Sequence, residues 1–185
     1  MSKATLHTFI AYVEDLPGVL NRVTSLLRRR NYNIVSLTVG RTERPGVSRM
    51  TIVLEADDDG ARRIEANLYK LVNVLWVQNT AEAATMVREL ALVKVRADAN
   101  RRGEVMRLCD VFRARVVDVG PEALVAEITG TVDKIDGLID VLRPFGLVEM
   151  VRTGVVAMVR SAEATADRIP VSTRSPQLPD GIRAA

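Results

Sequence analysis

From Thr5 to Val13 the chain combines β-branched and aromatic residues, and Phe9, Ala11 and Val13 share one face at a period of two, which predicts a strand. Asp15-Leu16-Pro17-Gly18 interrupts it. Val19, Leu20, Val23, Leu26 and Leu27 then recur at helical spacing and predict an amphipathic helix whose apolar stripe covers a sheet. Asn31-Tyr32-Asn33 ends that helix. Two β-rich runs follow, Ile34 to Thr42 and Ser48 to Ala56, joined by the turn signal Arg44-Pro45-Gly46, and they predict a hairpin. Asp57-Asp58-Asp59 opens a second helix with acidic residues where the helix dipole favours them, and Ala61, Ile64, Leu68 and Leu71 continue its buried face. Val72 to Gln78 closes the unit as a fourth strand. The order strand, helix, strand, strand, helix, strand is the split β-α-β pattern, in which right-handed crossovers put both helices on one face of a four-stranded antiparallel sheet and leave the second face bare.

Past a connection at Thr80 to Arg88 the same order returns with little sequence identity. Leu90 to Val95 predicts a strand, and Val105, Leu108, Cys109 and Phe112 form a helical stripe. Arg115 to Val119 and Leu124 to Thr129 read as strands around Gly120-Pro121. Val132, Ile135, Leu138, Ile139 and Leu142 give another helix, stopped near Pro144, before a β-rich stretch from Leu147 to Val159 broken at Thr153-Gly154. The fold class expected is α+β: two tandem ferredoxin-like βαββαβ domains, 4–79 and 88–160, with a linker at 80–87. From residue 161 to 185 periodicity is lost and three of the seven prolines gather, so this tail is expected to be disordered.

Composition narrows the chemistry. The longest apolar runs fall well short of the roughly 20 residues of a membrane-spanning helix, and the N-terminus shows neither an apolar signal core nor a cleavage site. A cytoplasmic location and no membrane partner are expected. Cys109 is the only cysteine and reads as a small core residue; with His7 as the only histidine, a zinc ligand set is missing and a Ser-His-Asp relay would depend on this one imidazole. The 26 basic and 23 acidic residues are interspersed, giving a net charge of +3 that argues little for nucleic acid. Arg28-Arg29-Arg30 falls at a predicted helix C-terminus, where cations are favoured.

The turn Glu14 to Leu20 leads a strand into a helix, and the unpaired N–H groups of a helix N-terminus suit a carboxylate. Gly18 permits close approach of a ligand, and Asp15 can accept a hydrogen bond from an ammonium group. The same residues have a structural explanation, with Asp15 as the helix cap, Pro17 in the first helical turn and Gly18 as a turn residue. Asn33 has two readings as well: a helix terminator, or a paired donor and acceptor for a ligand.

The series D-L-P-G-V-L at 15–20, R-R-N-Y-N-I-V-S-L-T-V at 29–39, S-R-M-T-I at 48–52 and L-x-K-L-V-N-V at 68–74 closely resembles the small subunit of acetolactate synthase. E-L-A-L-V-K-V at 89–95 and R-T-G-V-V at 152–156 extend the resemblance through the second domain, over about 160 residues in all. It implies that the first domain is an ACT domain, an amino-acid-sensing module, and that the chain is a non-catalytic regulatory subunit. By the same resemblance, valine or a related branched-chain amino acid binds between two ACT domains of a homodimer. The effector-binding residues it implies are Asp15, Gly18 and Asn33, with Leu16, Pro17, Val19 and Ile34 lining the site. Asp15 stands where the family often has asparagine, which leaves the identity and affinity of the effector open. The expected partner is the large catalytic subunit, which would carry thiamine diphosphate, magnesium and FAD; no cofactor is expected in this chain. The resemblance implies that the chain raises the partner's activity and confers feedback inhibition on branched-chain amino acid synthesis.

Three other functions are compatible with parts of the pattern. An RNA-binding module of the same strand order needs aromatic residues on its third strand, where this chain has Ser48-Arg49-Met50-Thr51-Ile52. A stand-alone enzyme lacks a phosphate loop, a dinucleotide fingerprint and a nucleophile–base pair. An ACT-domain sensor that regulates a different enzyme is the nearest alternative.

Overall fold

The computed structural model describes residues 4–81 and 83–160. The expectation of disorder for 161–185 lies outside them. The described residues divide into two compact units, one over 4–85 with 159–160 and the other over 86–158.

The first unit runs β1 (Thr5–Glu14), α1 (Val19–Arg29), β2 (Ile34–Arg41), β3 (Val47–Ala56), α2 (Asp58–Leu68), β4 (Val74–Asn79). All neighbouring strands are antiparallel, in the order β2-β3-β1-β4, so β2 and β4 are the edges. Phe9, Ala11 and Val13 meet Met50, Ile52 and Leu54 on one face, and Val19, Val23 and Leu27 of α1 with Ala61, Ile64 and Leu68 of α2 close over them as a single core. Leu20, placed in the predicted stripe, is exposed instead: it follows the buried Val19 by one residue and points about 100° away around the helix. The second face of the sheet is not bare as expected. Ile10, Thr51 and Val53 at its centre are buried, and the Tyr12 ring on that face is flanked by Trp76 at 5.7 Å and by the Arg49 guanidinium at 5.7 Å.

The second unit repeats the plan: β5 (Thr85–Arg96), α3 (Arg102–Val111), β6 (Arg115–Val119), β7 (Ala123–Gly130), α4 (Val132–Leu142), a 3₁₀ turn at Arg143–Phe145, and β8 (Leu147–Arg152), with the short strand β9 (Val156–Val159) also paired to β5. Its sheet order, β6-β7-β5-β8, matches that of the first unit. Strand β5 starts at Thr85, five residues before the predicted Leu90, because β9 returns beside its first half. Val93, Val95, Leu124, Ala126 and Ile128 pack against Val105 and Cys109 of α3 and Ile135, Leu138, Ile139 and Leu142 of α4. Arg152 is held by Glu89 at 2.6 and 2.9 Å and by Asp136 at 2.7 Å. Two of the segments that carry the family resemblance are thus tied together by one ion pair.

The first helix of each unit ends alike. In α1 the left-handed residue is Asn31 (φ 60°), with Tyr32 N–H donating to Leu27 O and Asn31 N–H to Arg28 O. In α3 it is Arg113 (φ 53°), with Ala114 N–H donating to Cys109 O and Arg113 N–H to Asp110 O. Both are Schellman terminations, which satisfy carbonyls the helix itself leaves free.

Candidate functional site

The turn between β1 and α1 is built on Pro17-Gly18. Val19 N–H donates to Leu16 O at 3.3 Å and Gly18 lies at φ 83°, ψ −7°, the geometry of a type II turn with proline and glycine in its two central positions. Gly18 is also the residue that caps α1, and it offers no side-chain acceptor, so no side chain satisfies the first-turn N–H groups. A Cβ built on Gly18 meets nothing within 4 Å. Glycine is therefore required by the backbone, and the space above it is open.

Asp15 does not cap α1, and Pro17 precedes the helix instead of opening it. The tip of the β2–β3 hairpin holds Asp15: its N–H donates to Gly46 O at 2.8 Å, Ser48 Oγ donates to its Oδ1 at 3.1 Å, and Arg41 Nε stands 3.4 Å from its Oδ2. That tip is a second Pro-Gly turn, with Gly46 at φ 77° and Val47 N–H donating to Arg44 O at 3.2 Å. On its other side the turn is anchored through Glu14. Glu14 N–H donates to Asn73 O at 2.9 Å, Asn73 Nδ2 donates to Glu14 Oε2 at 2.5 Å, and Arg22 of α1 donates to Asn73 Oδ1 at 2.7 Å. Glu14 and Asn73 are both buried. Sequence reasoning missed Arg41, Ser48, Arg22 and Asn73 as supports, although Ser48 and Asn73 lie inside the segments that carry the resemblance.

Asn33 lies elsewhere. Asn31 takes the terminating conformation, so Asn33 does not end the helix; it is exposed and makes no hydrogen bond among the described residues. With Ile34 it lines a cleft of about 540 Å³ along the outer side of α1, together with Asn21, Thr24, Arg28 and Tyr32. Gly18 and Asn33 stand at opposite ends of α1, a helix of 11 residues and so about 16 Å long. Within one chain Asp15, Leu16, Pro17 and Gly18 gather in one turn, Asn33 and Ile34 form a second location, and Val19 is a core residue.

The His7 ring is buried, 3.2 Å from Thr5 Oγ1 and 4.0 Å from Asp58. The buried Cys109 thiol is pushed up by burial and by the neighbouring charge of Asp110, which keeps it protonated. Among the described residues no group of three His, Cys, Asp or Glu side chains could hold a metal ion, and no helix is long and apolar enough to cross a membrane.

Residues 9–76 match the model of the AHAS small subunit-like ACT domain. Two ferredoxin-like units, the first carrying an open glycine turn at the entry to its first helix, define a regulatory protein of the ACT class. Residues 88–161 match the model of the small subunit of acetolactate synthase. The chain is 48% identical over 161 residues to the acetolactate synthase small subunit of Mycolicibacterium smegmatis, covering 86% of this chain and 95% of that one. It is 47% identical to the probable acetolactate synthase small subunit of Archaeoglobus fulgidus, covering 83% and 96%. The crystal structure of the small subunit from Thermotoga maritima superimposes with a TM-score of 0.78 at 39% identity, over 85% of this chain and 98% of that one. The chain belongs to the acetolactate synthase small-subunit family, and as a regulatory subunit it implies a large, catalytic partner.

Proposed function

We propose that this chain binds valine or a related branched-chain amino acid between the ACT domains of two copies, raises the activity of the large subunit and imposes feedback inhibition on it. The carrying observation is the separation of the implied contacts. Asp15 and Gly18 lie at the Arg41 end of β2, whereas Asn33 precedes its other end. Because β2 is an edge strand with Val35 and Val39 exposed, it offers an unpaired ladder to a copy of itself. Two-fold antiparallel pairing of β2 with its copy brings the Ile34 end of each strand to the Arg41 end of the other. The Pro17-Gly18 turn of one chain then faces Asn33 and the cleft of the next, and the contacts that one chain keeps apart are united.

In this reading the chain does no bond chemistry. Thiamine diphosphate, magnesium and FAD belong to the large subunit, and both work in the cytoplasm. Valine at the interface favours the arrangement in which the large subunit is less activated. Valine has roughly eight heavy atoms, so the ceiling of about −1.5 kcal/mol per atom leaves ample room for the roughly −4 to −8 kcal/mol of millimolar to micromolar binding. The test is an activity assay of the large subunit with and without this chain across a valine series. Activation by the chain and its reversal by valine are expected; a large subunit indifferent to the chain at every valine concentration refutes the proposal.

A further inference from the structure

The grip on Asp15 suggests how such a site would recognise its ligand, and this inference rests on the effector reading above. Asp15 contributes a negative charge to a turn meant to receive an amino acid, whose own carboxylate it would repel. Arg41 answers that charge. Its Nε lies 3.4 Å from Asp15 Oδ2, and a guanidinium carries five N–H donors, of which Nε supplies one. The terminal nitrogens of Arg41 make no hydrogen bond among the described residues, and its side chain is 82% exposed while that of Asp15 is 38% exposed. Asp15 in turn accepts from Ser48 at one oxygen and faces Arg41 at the other, and a carboxylate with about four lone-pair positions retains capacity for a further donor.

An exposed ion pair of this kind adds little to the stability of a lone domain. Its position is more telling. Arg41 ends the edge strand β2, beside the open Gly18 turn, at the place where a copy's Asn33 arrives when the two strands pair. Desolvated there, a fixed carboxylate beside a guanidinium with unused donors is complementary to a zwitterion, with the ammonium on the first and the carboxylate on the second. A ligand lacking either charge leaves one member of the pair short of its partner.

We propose that Arg41 is a specificity-determining residue of the effector site: it positions the Asp15 carboxylate for the ligand's ammonium group and takes the ligand's carboxylate on its terminal N–H groups. The site would then select free α-amino acids over amines and over 2-oxo acids of the same carbon skeleton. The hairpin tip, through Gly46 and Ser48, holds this head-group pair in register.

The test is calorimetric titration of the full-length chain with valine, valinamide and 3-methyl-2-oxobutanoate. The unaltered chain is expected to bind valine and to prefer it over both analogues. Arg41→Gln, a change at an exposed side chain that leaves the thermal melt in place, is expected to weaken valine about tenfold or more and to bring the valine-to-valinamide ratio close to one, as loss of a charge-assisted contact would. Arg41→Lys should restore part of both. Wild-type affinity together with a wild-type ratio in Arg41→Gln overturns the role of Arg41. An unaltered chain that binds no branched-chain amino acid overturns the effector reading itself, and the two failures are told apart by that first titration.

Discussion

Replacing Gly18 with aspartate separates sensing from folding. The position has φ 83°, so any side chain meets backbone strain, yet a Cβ there has no neighbour within 4 Å, so nothing clashes. Left-handed strain costs about 1–2 kcal/mol, least for aspartate and asparagine, and a carboxylate at a helix N-terminus returns about 0.3–1 kcal/mol. The net loss is about 1 kcal/mol. For a domain of this size that lowers the melting temperature by about 4–8 °C. The effect on a bound amino acid is larger, because the new carboxylate enters the open space intended for the ligand. Two like charges about 4 Å apart at an effective dielectric of about 20 repel by roughly 4 kcal/mol, as much as the whole of millimolar binding, about −4 kcal/mol. Gly18→Asp should therefore melt slightly early, show no heat on titration with valine, and still activate the large subunit. Gly18→Ala, which carries the strain without the charge, should melt at a similar temperature and keep part of its valine binding. If Gly18→Asp loses folding and activation together, the turn is a folding element and the reasoning about its open space fails; if it binds valine like the parent, the ligand lies elsewhere.

Arg152→Met should cost about 3–5 kcal/mol in urea unfolding, because it strands the Glu89 carboxylate, whose side chain is only 6% exposed. Asp136→Asn, at a side chain 49% exposed, should cost less than about 1 kcal/mol, and the reverse order would show that Glu89 is not the partner that matters. The guanidinium is pushed up from its ordinary value chiefly by its hydrogen bonds to Glu89, against the opposing effect of burial and with further help from Asp136, so Arg152 stays charged throughout the accessible range. Cys109, buried and raised, should resist a thiol-specific disulfide reagent at pH 8 until urea unfolds the second unit; prompt labelling of the folded chain would place it at the surface.

Strand and helix order was legible because both units obey simple periods. Phe9, Ala11 and Val13 alternate into the core, and Ile135, Leu138, Ile139 and Leu142 repeat at helical spacing. The limits were set by long-range partners. Ile10, Thr51 and Val53 lie on the opposite face from the predicted core, and alternation alone made that face look open. Thr85 to Val87 looked like linker until β9 supplied a neighbour. At the candidate site Gly18 was readable as a turn residue from its own type, whereas Pro17, which suits both a first helical turn and the position before glycine in a type II turn, takes the latter. The support of Asp15 was not readable, because Ser48 lies 33 residues away and Arg41 on the facing hairpin. Asn31 and Asn33 were indistinguishable as helix terminators by residue type; the hydrogen bonds of Tyr32 and Asn31 to the last turn decide for Asn31.

The placement of these groups also bears on how regulation could work. A folded chain carries one half of the proposed contacts at each end of β2, so it holds two half-sites and no whole one. A ligand that needs both halves binds the pair of chains and not the single chain, and so shifts that equilibrium by RT ln(1 + [L]/Kd) for each of the pair's two sites, about 2.7 kcal/mol per site at a hundredfold excess over Kd. This is already within the 1–3 kcal/mol, roughly 5- to 150-fold, of typical allosteric coupling. Neither ACT domain has to change its internal packing for such a signal to exist. Closing or loosening the seam between two edge strands is sufficient, provided the large subunit contacts the two closures differently, because a partner with equal affinity for both would register nothing.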